Sequence, residues 1–232
     1  MKKIYMTMIA ACMVAGAIAQ VQVGPKIGMN LYKINDGEKI EEEGVSEPFA
    51  IGFNLGLATS FNVSENFAVA PELIYTQKGA STKAEDGDNY GKITSKLSFI
   101  EIPVLGRVSF GDVVKGYVNV GPSLGYWIGG STTIKAKTNG ESEKERRKLK
   151  FVSEGDQINF DEEIPIPAEE ANRLEIGAVL GGGAMLNTGA GDILFDLRYQ
   201  AGLTNMIDFD DDDYKFRNNG LAISVIYLLG SR

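Results

Sequence analysis

Side chains alternate along this chain in a sense that water cannot explain. In Phe49-Ala50-Ile51-Gly52-Phe53-Asn54-Leu55-Gly56-Leu57-Ala58, every odd residue is a large apolar one and every even residue is small or polar. A strand repeats every two residues, so the segment has one broad apolar face and one narrow face of Gly, Ala and Asn. Elsewhere in the chain the charged residues also sit among glycines and alanines, on the narrow side. A water-soluble sandwich turns charge outward and grease inward. The reversed pattern predicts an all-β fold: an eight-stranded antiparallel up-and-down transmembrane β-barrel, with lipid outside and a polar, side-chain-filled lumen.

Eight segments carry the pattern, near residues 23–32, 49–61, 66–78, 95–109, 116–128, 172–186, 192–202 and 220–229. Their connections alternate in length. Residues 62–65, 110–115 and 187–191 are tight turns, whereas 33–48, 79–94, 129–171 and 203–219 read as long charged external loops. Short-long alternation with an even strand number places the turns and both termini in the periplasm. Ahead of this single domain (20–232), Met1-Lys2-Lys3, an apolar stretch and Ala17-Ile18-Ala19 form a signal peptide, cleaved after residue 19. A lipoprotein box ending at Cys12 is the alternative, with an apolar region shorter than such signals use. Cys12 is the only cysteine, so no internal disulfide is available.

On the outward face we place Ile27, Met29 and Leu31, the odd residues from 49 to 61, Leu73, Tyr75, Ile100, Ile102, Val118, Val120, Leu180, Phe195, Leu197, Tyr199, Ile223 and Val225, among others. Phe61, Phe67, Phe110 and Tyr117 near the turns, and Tyr75, Tyr126 and Trp127 toward the loops, are expected as two aromatic girdles. The opposite parity holds Glu72, Glu101, Arg107, Glu175, Asp196 and Arg198. Charges inside so narrow a barrel must pair, which predicts a structural ion-pair network in the lumen. Pro71, Pro103 and Pro122 interrupt predicted strands about six residues from a turn, and Pro25 lies near the start of the first. They predict a belt of bulges or ladder breaks.

Taken in order, Gly24-Pro25-Lys26-Ile27-Gly28, Pro71-Glu72-Leu73-Ile74-Tyr75-Thr76-Gln77-Lys78-Gly79, Ile100-Glu101-Ile102-Pro103-Val104-Leu105, Gly121-Pro122 and Phe195-Asp196-Leu197-Arg198-Tyr199 resemble the PorT-type outer-membrane β-barrel family of Bacteroidota. The resemblance runs from about residue 21 to the end. It implies an outer-membrane barrel of about eight strands, and, through the link of PorT itself to type IX secretion, an accessory role in secretion or surface assembly. The terminal Leu228-Leu229-Gly230-Ser231-Arg232 departs from the aromatic ending common in such barrels.

Two charged stretches stand out between strands. Lys144, Arg146, Arg147, Lys148 and Lys150 offer a phosphate or lipopolysaccharide contact; the plainer reading is a solvated loop paired with the acidic residues that follow. Asp208, Asp210, Asp211, Asp212 and Asp213 offer weak divalent-cation contact, without the glycine and terminal glutamate of an EF-hand loop. The chain has no histidine, which removes Ser-His-Asp triads and the usual zinc sites, so no enzyme, metal or cofactor is expected. Gly181-Gly182-Gly183 lies within an alternating strand and opens no helix, unlike a phosphate loop. A net charge of −8 argues against nucleic acid. The expected partners are outer-membrane lipid and envelope or secretion proteins, around a monomeric barrel. Two functions stand out: a structural or accessory barrel with a plugged, non-conducting lumen, or a surface binder whose loops contact a ligand, lipid or partner.

Overall fold

The computed structural model describes residues 21–35, 44–87, 89–138, 141–153, 155–206 and 216–230. Among these lie eleven strands: β1 (Val21–Asn35), β2 (Val45–Ser46), β3 (Ala50–Asn62), β4 (Phe67–Asp86), β5 (Asn89–Phe110), β6 (Val114–Thr138), β7 (Glu141–Val152), β8 (Glu163–Pro167), β9 (Leu174–Asn187), β10 (Gly191–Gly202) and β11 (Arg217–Leu229). Eight of them hydrogen-bond in a closed ring. It runs β1-β3-β4-β5-β6-β9-β10-β11 and returns to β1, every pair antiparallel. These eight coincide with the segments read from the alternation. The signal segment with Cys12, and the Asp208–Asp213 cluster, fall outside the described residues.

Ring closure leaves no free edge, so every wall strand finds partners on both sides. At one end, tight turns join β3 to β4, β5 to β6 and β9 to β10. In the last, the Asn187 side-chain carbonyl accepts the Gly189 amide at 3.0 Å, and Gly189 takes a φ of +79° that a side chain would resist.

The other end departs from expectation. Segments 79–94 and 129–171 are not loops in the main. β4, β5 and β6 run 20, 22 and 25 residues, about twice what a bilayer crossing needs. β3 and β9 accompany them only part of the way: the last pairs are Asn54↔Thr76 and Tyr126↔Leu174. Beyond these, β4, β5, β6 and β7 continue as a sheet that stands past the ring. β8 returns parallel to β7 through Lys148↔Glu163 to Val152↔Pro167.

Alternation decides which residues face where. Phe53 is 46% exposed and Leu197 52%, and the same exposure recurs at Ile27, Leu73, Ile102, Val120, Leu180, Phe195 and Ile223. The opposite parity is buried, with Glu72 at 3% and Arg198 at 4%. Two girdle assignments need correcting. Tyr117 and Trp127 point inward and are buried. Tyr117 sits on the parity opposite to Val118 and Val120, which the alternation already demanded. Trp127 pairs with Phe99 beside a register shift at Ser98/Phe99. Each proline of the wall strands lies next to a gap in the ladder. Pairing jumps from Val23↔Leu229 to Lys26↔Ile226 beside Pro25, from Pro71↔Val104 to Ile74↔Glu101, and from Pro103↔Ser123 to Gly106↔Val120 beside Pro122. A proline lacks the N–H that a ladder needs, and these breaks form a belt in the turn-side half of the ring.

Candidate functional site

The interior of the ring is a stack of polar layers that reach across it. In the central layer, Glu72 on β4 accepts two bonds from the Arg198 guanidinium on β10, at 2.8 and 2.7 Å, and one from Lys26 Nζ on β1 at 2.8 Å. Arg198 also pairs with Asp196. The other Asp196 oxygen accepts from Tyr117 at 2.6 Å and from Asn119 at 3.1 Å. Bidentate guanidinium–carboxylate pairing gives direction as well as attraction, so these side chains are held in one arrangement. Gly181 makes room for it. A Cβ there would stand 2.6 Å from Arg198 Cγ and 2.8 Å from Asn119 Oδ1.

A second layer lies toward the long strands. Lys78 pairs with Glu175 and, at 3.4 Å, with Glu101. Glu101 accepts from the Gln200 amide, Gln200 accepts from Tyr32 at 2.5 Å, and Asn218 donates to Glu175 at 2.6 Å. Also buried in the interior, Asn30 accepts from the Asn54 amide at 2.7 Å and donates to the Thr76 hydroxyl at 2.8 Å. Nearer the turns, Asp192 accepts from Gln22 at 2.8 Å and Asn187 at 3.0 Å.

The structure thus brings together Glu72, Asp196 and Arg198, and separately Glu101 and Glu175. Arg107 stands apart from both groups. It forms no ion pair among the described residues; its guanidinium lies 5.1 Å from the Tyr117 ring centroid, and it lines an open cavity of about 770 Å³ at the turn end. Lys26 and Lys78 supply the cations that Arg107 was expected to provide. Sequence reasoning missed both, although each sits on the inward parity, Lys26 directly before outward Ile27.

The long-strand mouth ends in an apolar cluster. Trp127, Phe99, Leu97 and Met206 are buried together, with Leu149 and Phe151 of β7 and Ile166 of β8 packed on them. The Phe151 ring meets the Trp127 ring edge-on at 4.7 Å, and Arg173 covers Phe151 at 4.3 Å. β7 and β8 are therefore attached to the mouth by side-chain packing as well as by their ladder.

Alternation also sorts the basic stretch on β7. Lys144, Arg146, Lys148 and Lys150 share one face. Arg147 lies on the other and binds Glu145 at 2.6 Å. Lys150 donates to Glu163 at 3.1 Å. That bond, with one from the Asn159 amide, holds the Glu163 carboxyl below the usual glutamate range.

A family model described as outer membrane protein beta-barrel domain matches residues 17–208. The chain belongs to that family. This outer-membrane β-barrel protein resembles several solved structures. It is 12% identical to the attachment invasion locus protein Ail of Yersinia pestis, covering 90% of this chain and 99% of that one, with a TM-score of 0.40. With Neisserial surface protein A it shares 12% identity over 89% of this chain and 95% of that one, TM-score 0.37. With OprG of Pseudomonas aeruginosa it shares 13% identity over 90% and 91%, TM-score 0.31. No curated protein sequence matches it. The family's description points to the cell outer membrane.

Proposed function

We propose that this barrel spans the outer membrane with both termini in the periplasm, passes neither ions nor solutes, and serves as a structural or accessory protein of secretion or surface assembly. The observation that carries this reading is the interior: Lys26, Glu72, Asp196 and Arg198 fill one level, and Lys78, Glu101 and Glu175 the next, all buried and bonded across the ring. An eight-stranded ring has room for these side chains and little else. The apolar lid of Trp127, Phe99 and Phe151 supports a second seal at the mouth. The lack of histidine supports a role without catalysis, and the resemblance to PorT-type barrels supports the secretion link. The test is conductance of the purified protein in a planar bilayer. The expected record is flat under voltage; stepwise openings in the wild-type protein would overturn the sealed reading. Deletion of the chain in its native host, followed by assay of surface protein export, tests the accessory role.

A further inference from the structure

The sheet that stands past the ring has one face of almost unbroken positive charge. Cross-strand pairs point to the same side, so register alone builds that face. Lys83 pairs with Lys92, Lys92 with Lys135, and Lys135 with Lys144, which puts four ammonium groups in one row over β4–β7. Two residues closer to the ring, Thr94, Thr133 and Arg146 form the next row, and Lys96, Ser131 and Lys148 the one below it. Lys83 is balanced by Glu85 at 2.7 Å and Lys150 by Glu163. Lys92, Lys96, Lys135, Lys144 and Arg146 have no acidic partner among the described residues, whereas Lys148 stands in register with Glu163. The acids of β7 are on the reverse side: Glu143 and Glu145 pair in register with Ala136 and Ile134.

Like charges placed directly opposite one another destabilise a sheet. Four in a row on a chain of net charge −8 is segregation, and it calls for an anion from outside. The position of the face says which kind. Following the outward side of β5 toward the ring, Lys96 gives way to Ser98 and then to Ile100; on β4, Gln77 gives way to Tyr75 and Leu73. Those are the first residues of the apolar belt. A groove of about 450 Å³ joins the two zones, with Phe53 of the belt at one side and Lys96, Lys135, Lys144 and Arg146 at the other, and hydroxyls of Thr94 and Thr133 between. An amphiphile fits this groove with its acyl end along Phe53 and its anionic head among the cations.

We propose that this face binds the phosphorylated headgroup of an outer-leaflet glycolipid, holding the β4–β7 sheet against the membrane surface. The proposal rests on the membrane-spanning reading above and extends it to a ligand. Juxtamembrane cations attract anionic headgroups additively, each contributing severalfold in affinity. A soluble anion would need no apolar neighbour, and a nucleic acid would face the negative charge of the remaining chain.

The test uses the full-length barrel in detergent, titrated with bis-phosphorylated lipid A and with the same lipid A after enzymatic removal of its phosphates, read by native mass spectrometry. The phosphorylated lipid should bind about tenfold or more tighter. The triple variant Lys96→Gln/Lys135→Gln/Arg146→Gln should lose that preference, and the control Lys115→Gln/Arg147→Gln should keep it. Heat-modifiable migration reports folding of each variant independently of lipid. Without lipid the triple variant should be at least as heat-stable as wild type, because its rows no longer repel; single Lys135→Gln gives the same readout with least disturbance. Equal binding of the two lipids, equal loss in the control, or displacement of the lipid by inorganic phosphate at matched concentration would overturn the proposal. A barrel that folds, stays silent in the bilayer and shows no phosphate preference would sink this inference alone; one that does not partition into membranes would sink the reading beneath it.

Discussion

Glu72 is the residue on which the central layer turns. It faces two cations, Lys26 and Arg198, and has no exposure to water through which either could be screened. Replacing it with alanine leaves both charges buried with only Asp196 beside them. Removing one partner of a buried pair typically costs about 3–5 kcal/mol. We therefore expect Glu72→Ala to lower the unfolding free energy of the barrel in lipid vesicles, measured by urea titration, by that amount. A change below about 1 kcal/mol would mean that water or counter-ions reach the layer. Asp196 and Tyr117 show how legible such a site is. The parity of Asp196 marks it as interior from the sequence, but its two donors, Tyr117 and Asn119, come from β6, and only the β6–β9–β10 ladder brings them to it.

Among the elements, the β7–β8 pair is where sequence and structure part most. Residues 129–171 look like a solvated loop because their charges are dense, yet the turn chemistry of a hairpin was present. Thr138 pairs with Glu141, and the two residues between them are Asn139-Gly140, the strongest short hairpin signal. Likewise Asp86 pairs with Asn89 across Gly87-Asp88, and Gly87 takes a φ of +57°. The strands were hidden because both faces of β7 carry charge, so no apolar period marks them. Their parallel partner β8 depends in part on the Lys150–Glu163 pair. Since Glu163 is held below its ordinary pKa, its contribution to the β7–β8 docking is present above the ordinary glutamate range and is lost as pH falls through the lowered folded value. Carboxyl NMR titration should place Glu163 below a free glutamate, and Lys150→Ala should move it back up; an unchanged midpoint in that variant would assign the shift to the Asn159 amide instead.

At the scale of the whole molecule, the apolar belt is an unbroken band. Leu197, Ile223, Met29 and Phe53 are neighbours in register across four consecutive strands and all are exposed. Such a band in water would drive aggregation, and in hydrocarbon it is the matching surface. Leu197→Arg should destabilise the barrel by about 2–4 kcal/mol in vesicles, the cost of an arginine on the lipid side near the midplane. The same substitution in a water-facing strand would cost close to nothing, so equilibrium unfolding of this one variant separates the two environments.

What the sequence determined by itself is the set of eight wall strands and, away from the register shift beside Trp127, the face on which their alternating residues fall. A period of two is a local property, and reversing it would expose every buried charge to lipid at once. What tertiary structure alone decided is pairing across the ring: that Lys26 and Lys78, rather than Arg107, meet the carboxylates, that Trp127 turns inward beside a register shift, and that the lysines of four strands fall into one row. The ion pairs depend on closure of the ring, which sets strands far apart in the chain across from one another; the lysine row and the inward Trp127 depend on the register between neighbouring strands, including the shift at Ser98/Phe99.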